Sequence, residues 1–136
     1  MINLVEKSPM NRVMYDYEIA FVLKRYPFHN TKFMGVFNHD TIPKVFFSTK
    51  PKYPLPTCVI NNKDTNDPSG GEHWLALVKL PSGHTYTFDS FGRKENNPSI
   101  NLPTTWEHSP IQYQSIMEQN CGERCIVFLI LYDKLI

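Results

Sequence analysis

The strongest constraint on this fold is a pair of β-rich segments joined by a short turn. His73 to Leu80 and His84 to Ser90 flank Pro81-Ser82-Gly83, which predicts a β-hairpin with a three-residue turn. The turn length fixes the register, so it decides which residues share a face of the sheet. In this register His73 and Asp89 are diagonal neighbours on one face, about 7–8 Å apart at Cα. We therefore expect an imidazole and a carboxylate within hydrogen-bonding reach.

A second constraint lies near the end of the chain, where a polar segment changes into an apolar one. Cys121-Gly122 stands at this change, shortly before the apolar run Ile126 to Leu131. An apolar run without a polar stripe predicts a buried helix. Cys121 would lie on its first turn, where the helix dipole favours a thiolate and lowers the pKa of the thiol. Cysteine is also among the most commonly buried residues, so a structural role fits this segment equally well.

The remaining segments predict the fold class. Residues 41–56 contain four prolines and residues 62–71 are rich in turn formers, so both are expected to be loops. The order helix, strands, helix predicts an α+β fold, with a small antiparallel or mixed central sheet packed against a buried C-terminal helix. The other expected elements are a helix over Tyr15 to Tyr26 and strands over Lys32 to Asn38, Thr57 to Asn61 and Ile111 to Gln114, with Gly35 as a candidate bulge.

Length and composition limit the class of protein. The 136 residues predict a single domain over 1–136, with residues 1–12 as a loosely ordered lead-in. A net charge of +1 argues against strong attraction to nucleic acid or an anionic membrane, and no apolar run has transmembrane length. Three cysteines form no disulfide framework, which predicts a soluble protein of a reducing compartment. Cys121 and Cys125 lack a second ligand pair nearby, so we expect no metal site and no required cofactor.

The hairpin and the helix together supply the parts of a nucleophilic site. A cysteine nucleophile needs a base within reach and a group that orients the base. Cys121, His73 and Asp89 fit these roles, although polar residues at strand ends are commonly solvent-facing. The other histidines compete as the base, although neither His84, in the turn, nor His108, near a proline, has a carboxylate placed by a sheet register. They are His29, His39, His84 and His108.

Acyl transfer also needs N–H donors for the oxyanion. Gln114 can supply a side-chain amide, and the backbone at Cys121 or Gly122 a second donor. Gln112 and Gln119 are rivals, and composition gives no reason to prefer one glutamine. Trp74 alternates with its neighbour to the opposite face of the strand, which predicts a core residue, although it could instead wall a narrow substrate slot.

Several motifs in order resemble the adenovirus protease (adenain) family, and more distantly the ubiquitin-like-protein-specific proteases of the same cysteine-protease clan. Gly70-Gly71-Glu72-His73-Trp74-Leu75-Ala76-Leu77 resembles the family's Gly-Gly-x-His-Trp strand. Phe88-Asp89-Ser90-Phe91-Gly92 resembles its acid-x-Phe-Gly motif, with Asp where adenain has Glu. Gln114, seven residues before Cys121-Gly122-x-x-Cys125, has the family's glutamine-to-nucleophile spacing, and Lys32-Phe-Met-Gly-Val-Phe resembles an early strand.

The resemblance implies a papain-like clan fold with Cys121 as nucleophile, His73 as base, Asp89 as its orienting acid and Gln114 as oxyanion donor. Trp74 and Gly122 would contact the substrate, in a groove that prefers glycine on the acyl side of the cleaved bond.

The implied activity is that of a viral or virus-derived endopeptidase that cleaves capsid or core precursors during virion maturation. It would act in the virion and in the nucleus or cytoplasm of the infected cell. A protease acting on Gly-Gly tails of ubiquitin-like modifiers and a catalytically silent binding module are the alternatives. The family's peptide or DNA activators are not supported here, since residues 92–112 hold no cysteine and the net charge is near neutral.

Overall fold

The computed structural model describes residues 15–61, 73–89, 107–108 and 121–136. Within these ranges the chain is α+β, as predicted. The predicted lead-in at 1–12, the loop at 62–71 and the strand at 111–114 lie outside them. The elements in chain order are helix α1 (Asp16–Arg25), strand β1 (Thr31–Asn38), a 3-10 helix (Lys44–Phe47), strands β2 (Leu55–Asn61), β3 (Trp74–Lys79), β4 (Thr85–Phe88) and β5 (Glu107–His108), and helix α2 (Cys121–Leu135).

The strands form one mixed sheet in the order β1-β2-β3-β4-β5. β2, β3 and β4 are antiparallel neighbours, whereas β1 runs parallel to β2 and β5 runs parallel to β4. In the β3–β4 hairpin Ala76 pairs with Phe88, and the N–H of Leu80 donates to the carbonyl of His84 at 2.8 Å. The predicted hairpin register is therefore confirmed.

Two glycines allow the backbone to take conformations that other residues resist. Gly35 has φ +137°, and the β1–β2 register shifts between Phe33 and Val36, so the predicted bulge is confirmed. Gly83, in the hairpin turn, has φ +96°, and a Cβ there would meet the carbonyl oxygen of Thr49 at 2.3 Å. The hairpin turn thus packs directly against the backbone of the loop that follows the 3-10 helix, which only glycine permits.

The sheet is buried on both faces at its centre. Every residue of β2 and of β3 is buried, which explains why these strands read as continuous apolar runs. On one face the two helices cover the sheet, and on the other face Phe46 of the 3-10 helix does so. The helix-covered cluster includes Ile19, Leu23, Val59, Trp74, Ala76, Val78, Cys125 and Leu129, and the second cluster includes Phe46, Cys58, Ile60, Leu75 and Leu77.

Helix α2 lies across the hairpin and is held by aromatic contacts. The rings of Phe128 and Phe88 stack with centroids 4.4 Å apart, and the hydroxyl of Tyr132 donates to the carbonyl of Lys79 at 2.7 Å. Residues 121–133 are all buried or half-buried, in agreement with the predicted buried helix. Among the residues described, no helix combines the length and apolar character needed to cross a membrane.

The last turn of α2 is fastened to the start of β1 by a buried aspartate. The carboxylate of Asp133 accepts backbone N–H groups of His29, Asn30 and Thr31 at 3.1, 2.9 and 2.8 Å. It also accepts the hydroxyl of Thr31 at 2.7 Å. Burial would raise the pKa of Asp133, but these hydrogen bonds outweigh it and lower the pKa below its ordinary value. We call this set of contacts the Asp133 clasp.

Candidate active site

The predicted pair of imidazole and carboxylate is present at one end of the sheet. His73 lies one residue before β3 and Asp89 one residue after β4, and each is 2% exposed. Nε2 of His73 lies 2.5 Å from Oδ1 of Asp89. When Nε2 carries the proton of this bond, Nδ1 is the ring nitrogen that can accept one. The pair therefore fixes the orientation of the His73 ring.

The sulfur of Cys121 contacts the backbone immediately after His73. The peptide N–H that joins His73 to Trp74 donates to Sγ of Cys121 at 3.4 Å. The Cα of His73 is two bonds from that nitrogen, so Sγ lies within about 6 Å of it. An imidazole on that Cα can reach the sulfur. The first turn of α2 and the start of β3 thus bring Cys121, His73 and Asp89 together, although their chemical roles stay predictions.

The protonation state of Cys121 differs from the sequence-based expectation. Burial raises the pKa of the Cys121 thiol, and the negative charge of Asp89 raises it further. The backbone N–H groups of Trp74, Gly122 and Cys121 itself act in the opposite direction but do not outweigh burial. The helix start therefore lowers the pKa as expected, but the expected net lowering is wrong because burial outweighs it. The raised pKa favours the neutral thiol over the thiolate at neutral pH.

The other two cysteines have surroundings that suit a core. Cys58 and Cys125 are both 0% exposed, whereas Cys121 is 4% exposed, and all three are free thiols. Burial raises the pKa of Cys58 and of Cys125 well above the ordinary value. A negative charge on Cys121, when it is ionised, and on Asp89 adds to this effect at Cys125. Cys121 is the thiol that combines a backbone donor with a neighbouring histidine.

The structure describes some of the other predicted site residues, whereas the rest lie outside the described ranges. Trp74 is 2% exposed and belongs to the same core cluster as Cys121, so the core interpretation holds. Its role as a groove wall stays a prediction. Gly122 directs its backbone N–H at the sulfur of Cys121. Gln114 lies outside the described residues, and so do Gln112, Gln119, Gly70 to Glu72 and Ser90 to Gly92.

The competing histidines lie elsewhere. His84 is exposed at the opposite end of the hairpin, and the backbone of His29 bonds Asp133 at the far end of α2. His39 follows β1, two strands from β3, which is about 10 Å. His108 lies on β5, paired with Thr87.

Two features of this sheet end are absent from the sequence-based prediction. The donor to the sulfur is a backbone N–H of Trp74, and backbone groups carry no residue-specific signal. Asn61, the cross-strand partner of Trp74, donates through Nδ2 to Oδ1 of Asn38 at 2.7 Å. Asparagines at the ends of strands read as turn residues, so this bond between β1 and β2 had no sequence signal.

Comparisons with known proteins leave this chain without an assigned relative. A scan against protein-family models gave no match, and searches of curated proteins and of solved structures gave none either. Among the described residues, no group of three or more His, Cys, Asp or Glu side chains is arranged to hold a metal ion. The class that the coordinates define is an α+β domain with a Cys-His-Asp cluster at one end of a mixed sheet.

Proposed function

We propose that this chain is a cysteine endopeptidase of the adenain-like kind. The observation that carries the proposal is the His73–Asp89 pair at 2.5 Å, next to a sulfur that accepts the Trp74 N–H at 3.4 Å. A nucleophile, a base and a group that orients the base are the parts that covalent acyl transfer requires. The ordered motifs around His73, Asp89 and Cys121 support the adenain-like assignment, and with it a papain-like clan fold.

In the proposed mechanism the resting sulfur is neutral. As Sγ of Cys121 attacks the peptide carbonyl, Nδ1 of His73 takes its proton, and Asp89 stabilises the imidazolium through Nε2. Backbone N–H groups of the first turn of α2, with Gln114, hold the oxyanion. His73 then protonates the leaving amine and a thioester remains. Water, deprotonated by His73, releases the acid product and restores the Cys121 thiol.

The proposed substrates are capsid or core precursor proteins cut after glycine during virion maturation. The likeness of Gly70 to Leu77 and of Cys121-Gly122-x-x-Cys125 to the adenain motifs supports this substrate class. The enzyme would act in the infected cell and in the particle, in a reducing environment that keeps Cys121 as a thiol. No cofactor is required for the chemistry of the three residues.

Peptide cleavage tests the proposal directly. The full chain is incubated with fluorogenic peptides that carry Gly, Ala or Phe before the scissile bond. We expect cleavage of the Gly peptides, no cleavage by Cys121→Ala, and retained cleavage by the control Cys125→Ala, which removes an equally small thiol one turn further along α2. If Cys121→Ala cleaves as fast as the unmodified chain, the proposal is wrong. Labelling by a ubiquitin or SUMO vinyl sulfone would instead indicate a protease for Gly-Gly tails.

A catalytically silent binding module is the second candidate, favoured by the burial that raises the pKa of the Cys121 thiol. The two candidates differ in how iodoacetamide reacts at pH 7. For the enzyme, His73→Ala should slow alkylation of Cys121 about tenfold or more, because the thiolate then forms without a base. For the silent module, His73→Ala leaves the rate unchanged. Mass spectrometry of the peptide that contains Cys121 measures both rates.

A further inference from the structure

A pocket of about 460 Å³ opens on the sheet face that Phe46 covers, away from α2. It lies between β1, the end of β3 and the loop after the 3-10 helix. Its chemistry is set by four lysines and one aromatic ring, and none of the described residues that line it is acidic. These residues are Lys32, Lys50, Lys52, Lys79 and Tyr53. We call it the lysine pocket.

Lys79 is the unusual member of the set, because it is only 2% exposed. Its Nζ donates to the carbonyl of Phe46 at 3.0 Å and to the hydroxyl of Thr85 at 3.2 Å. Both partners are neutral, and no carboxylate in the described part of the chain bonds this ammonium. Buried cations are normally paired with an anion, since burial disfavours their charge. Burial accordingly lowers the pKa of Lys79.

The other three lysines surround this buried ammonium with further positive charge. Lys32, Lys50 and Lys52 are exposed, and Tyr53 next to them is 64% exposed. The register of β1, β2 and β3 sets Lys32 and Lys79 about two strand spacings, or roughly 10 Å, apart on one face. Four lysines around one pocket create a positive potential there, which an anion between them would neutralise.

We propose that the lysine pocket binds a compact polyanion that carries two or more phosphate groups, such as a polyphosphate or a nucleoside triphosphate. Lysine ammonium groups are common phosphate ligands as point charges. The pocket volume is within the usual range for small-molecule sites. A long nucleic acid fits less well, because it needs an extended basic surface, whereas the net charge of the chain is only +1.

This site is independent of the peptidase proposal. Lys79 is the last residue of β3, at the end of the strand opposite to His73, so a ligand there does not touch the Cys121 sulfur. The Cys121→Ala variant should therefore bind the polyanion as well as the unmodified chain. The proposed binding is non-covalent, because the lysine ammonium groups only bind phosphate oxygens.

Titration calorimetry of the full chain with tripolyphosphate tests the proposal. We expect one site, with an affinity that falls as salt is raised, since screening weakens exposed charge pairs. The double variant Lys50→Gln/Lys52→Gln removes two exposed charges without touching the core, and should weaken binding about tenfold or more. Lys79→Gln should weaken it similarly, and the double variant remains decisive if Lys79→Gln fails to fold. The control Lys134→Gln, an exposed lysine at the end of α2, should change the affinity less than about twofold.

Two comparisons complete the test. Tighter binding of ATP than of tripolyphosphate indicates a nucleotide, with the base against Tyr53, and equal binding indicates a free polyphosphate. The proposal is overturned if tripolyphosphate does not bind, or if the double variant and Lys134→Gln bind alike. It is also overturned if only single-stranded DNA binds and its affinity rises with length, which would indicate a nucleic-acid surface.

Discussion

The two ends of α2 bury polar groups in opposite ways. At the last turn the Asp133 carboxylate collects four hydrogen bonds from His29, Asn30 and Thr31, and its pKa falls. At the first turn the Cys121 sulfur receives backbone N–H groups, yet burial prevails and its pKa rises. One end of the helix therefore holds a fixed charge, and the other holds a neutral group that can be ionised.

This difference is the reverse of what the helix dipole favours. A negative charge is favoured at the start of a helix and disfavoured at its end. A carboxyl is ordinarily ionised at neutral pH and a thiol is not. At Asp133 short, directed hydrogen bonds lower the pKa further, although the dipole at this end of the helix opposes a negative charge. The comparison teaches that the number of close donors, weighed against burial, decides the direction in which a pKa shifts at a helix terminus. It also separates an anchor at Asp133 from the proposed nucleophile at Cys121.

The largest expected effect is on catalysis at the first turn. Asp89→Asn keeps the size of the side chain but removes the charge that, in the proposed mechanism, orients His73 and stabilises its imidazolium. We expect kcat/KM for the Gly peptides to fall by about 10³–10⁴-fold, with the midpoint of urea unfolding nearly unchanged. Steady-state kinetics with matched denaturation curves measures both. A loss of less than threefold would show that Asp89 does not orient the base.

The matching change at the last turn should affect stability instead. Asp133→Ala leaves the buried N–H and hydroxyl of Thr31 and the part-buried N–H groups of His29 and Asn30 without their acceptor. We expect the free energy of unfolding to fall by about 3–5 kcal/mol, measured by urea denaturation. Lys134→Ala, at the next and exposed position, is the control and should change it by less than about 0.5 kcal/mol. Equal stability of the two variants would contradict the anchoring role of the Asp133 clasp.

The contribution of Asp133 to stability should also depend on pH. Because the folded state lowers the pKa of Asp133, its contribution to stability is complete above the ordinary aspartate value of about 3.9 and is lost as pH falls through the folded value. Below about pH 4 the unmodified chain should therefore lose stability more steeply than Asp133→Asn, which has no proton to bind. Thermal melts from pH 6 to pH 2.5 compare the slopes. Parallel curves would show that the carboxylate is not favoured by folding.

The smallest expected effect comes from a single hydroxyl. Thr31→Val removes the 2.7 Å bond to Asp133 and should cost about 1–2 kcal/mol of unfolding free energy. Thr87→Val is the matched control, since the buried Thr87 hydroxyl has no hydrogen-bond partner among the described residues. That change should be neutral or slightly stabilising, because a methyl group is cheaper to bury than a hydroxyl without a partner. If both variants lose the same stability, the Thr31 bond adds nothing to the clasp.

The sequence was informative where a short-range rule applied. A three-residue turn determined the register that pairs Ala76 with Phe88, and glycine at position 35 indicated the bulge in β1. The contact between His73 and Asp89 follows from that register. Helix α1 was predicted to within a residue or so at each end, because Pro27 limits it.

Long-range features could not be predicted in the same way. The Asp133 clasp joins residues about a hundred positions apart, and an aspartate in the last turn of a helix gives no sign of its partners. The raised pKa of Cys121 depends on how deeply the folded chain covers the sulfur, which local rules about helix ends ignore. The sequence placed Lys79 in a strand but did not predict its burial. That burial depends on where the folded chain places Phe46.

Strand β3 carries His73 before its first residue and Lys79 at its last, six positions apart, which is about 20 Å along an extended strand. The strand is buried throughout and is hydrogen-bonded to a neighbouring strand on each side, so it is rigid, and the side chains at its two ends differ in chemistry. A phosphate ligand bound at one end of the strand would not compete with a peptide bound at the other. Ligand binding would instead raise the melting temperature of the domain and leave KM for peptides unchanged.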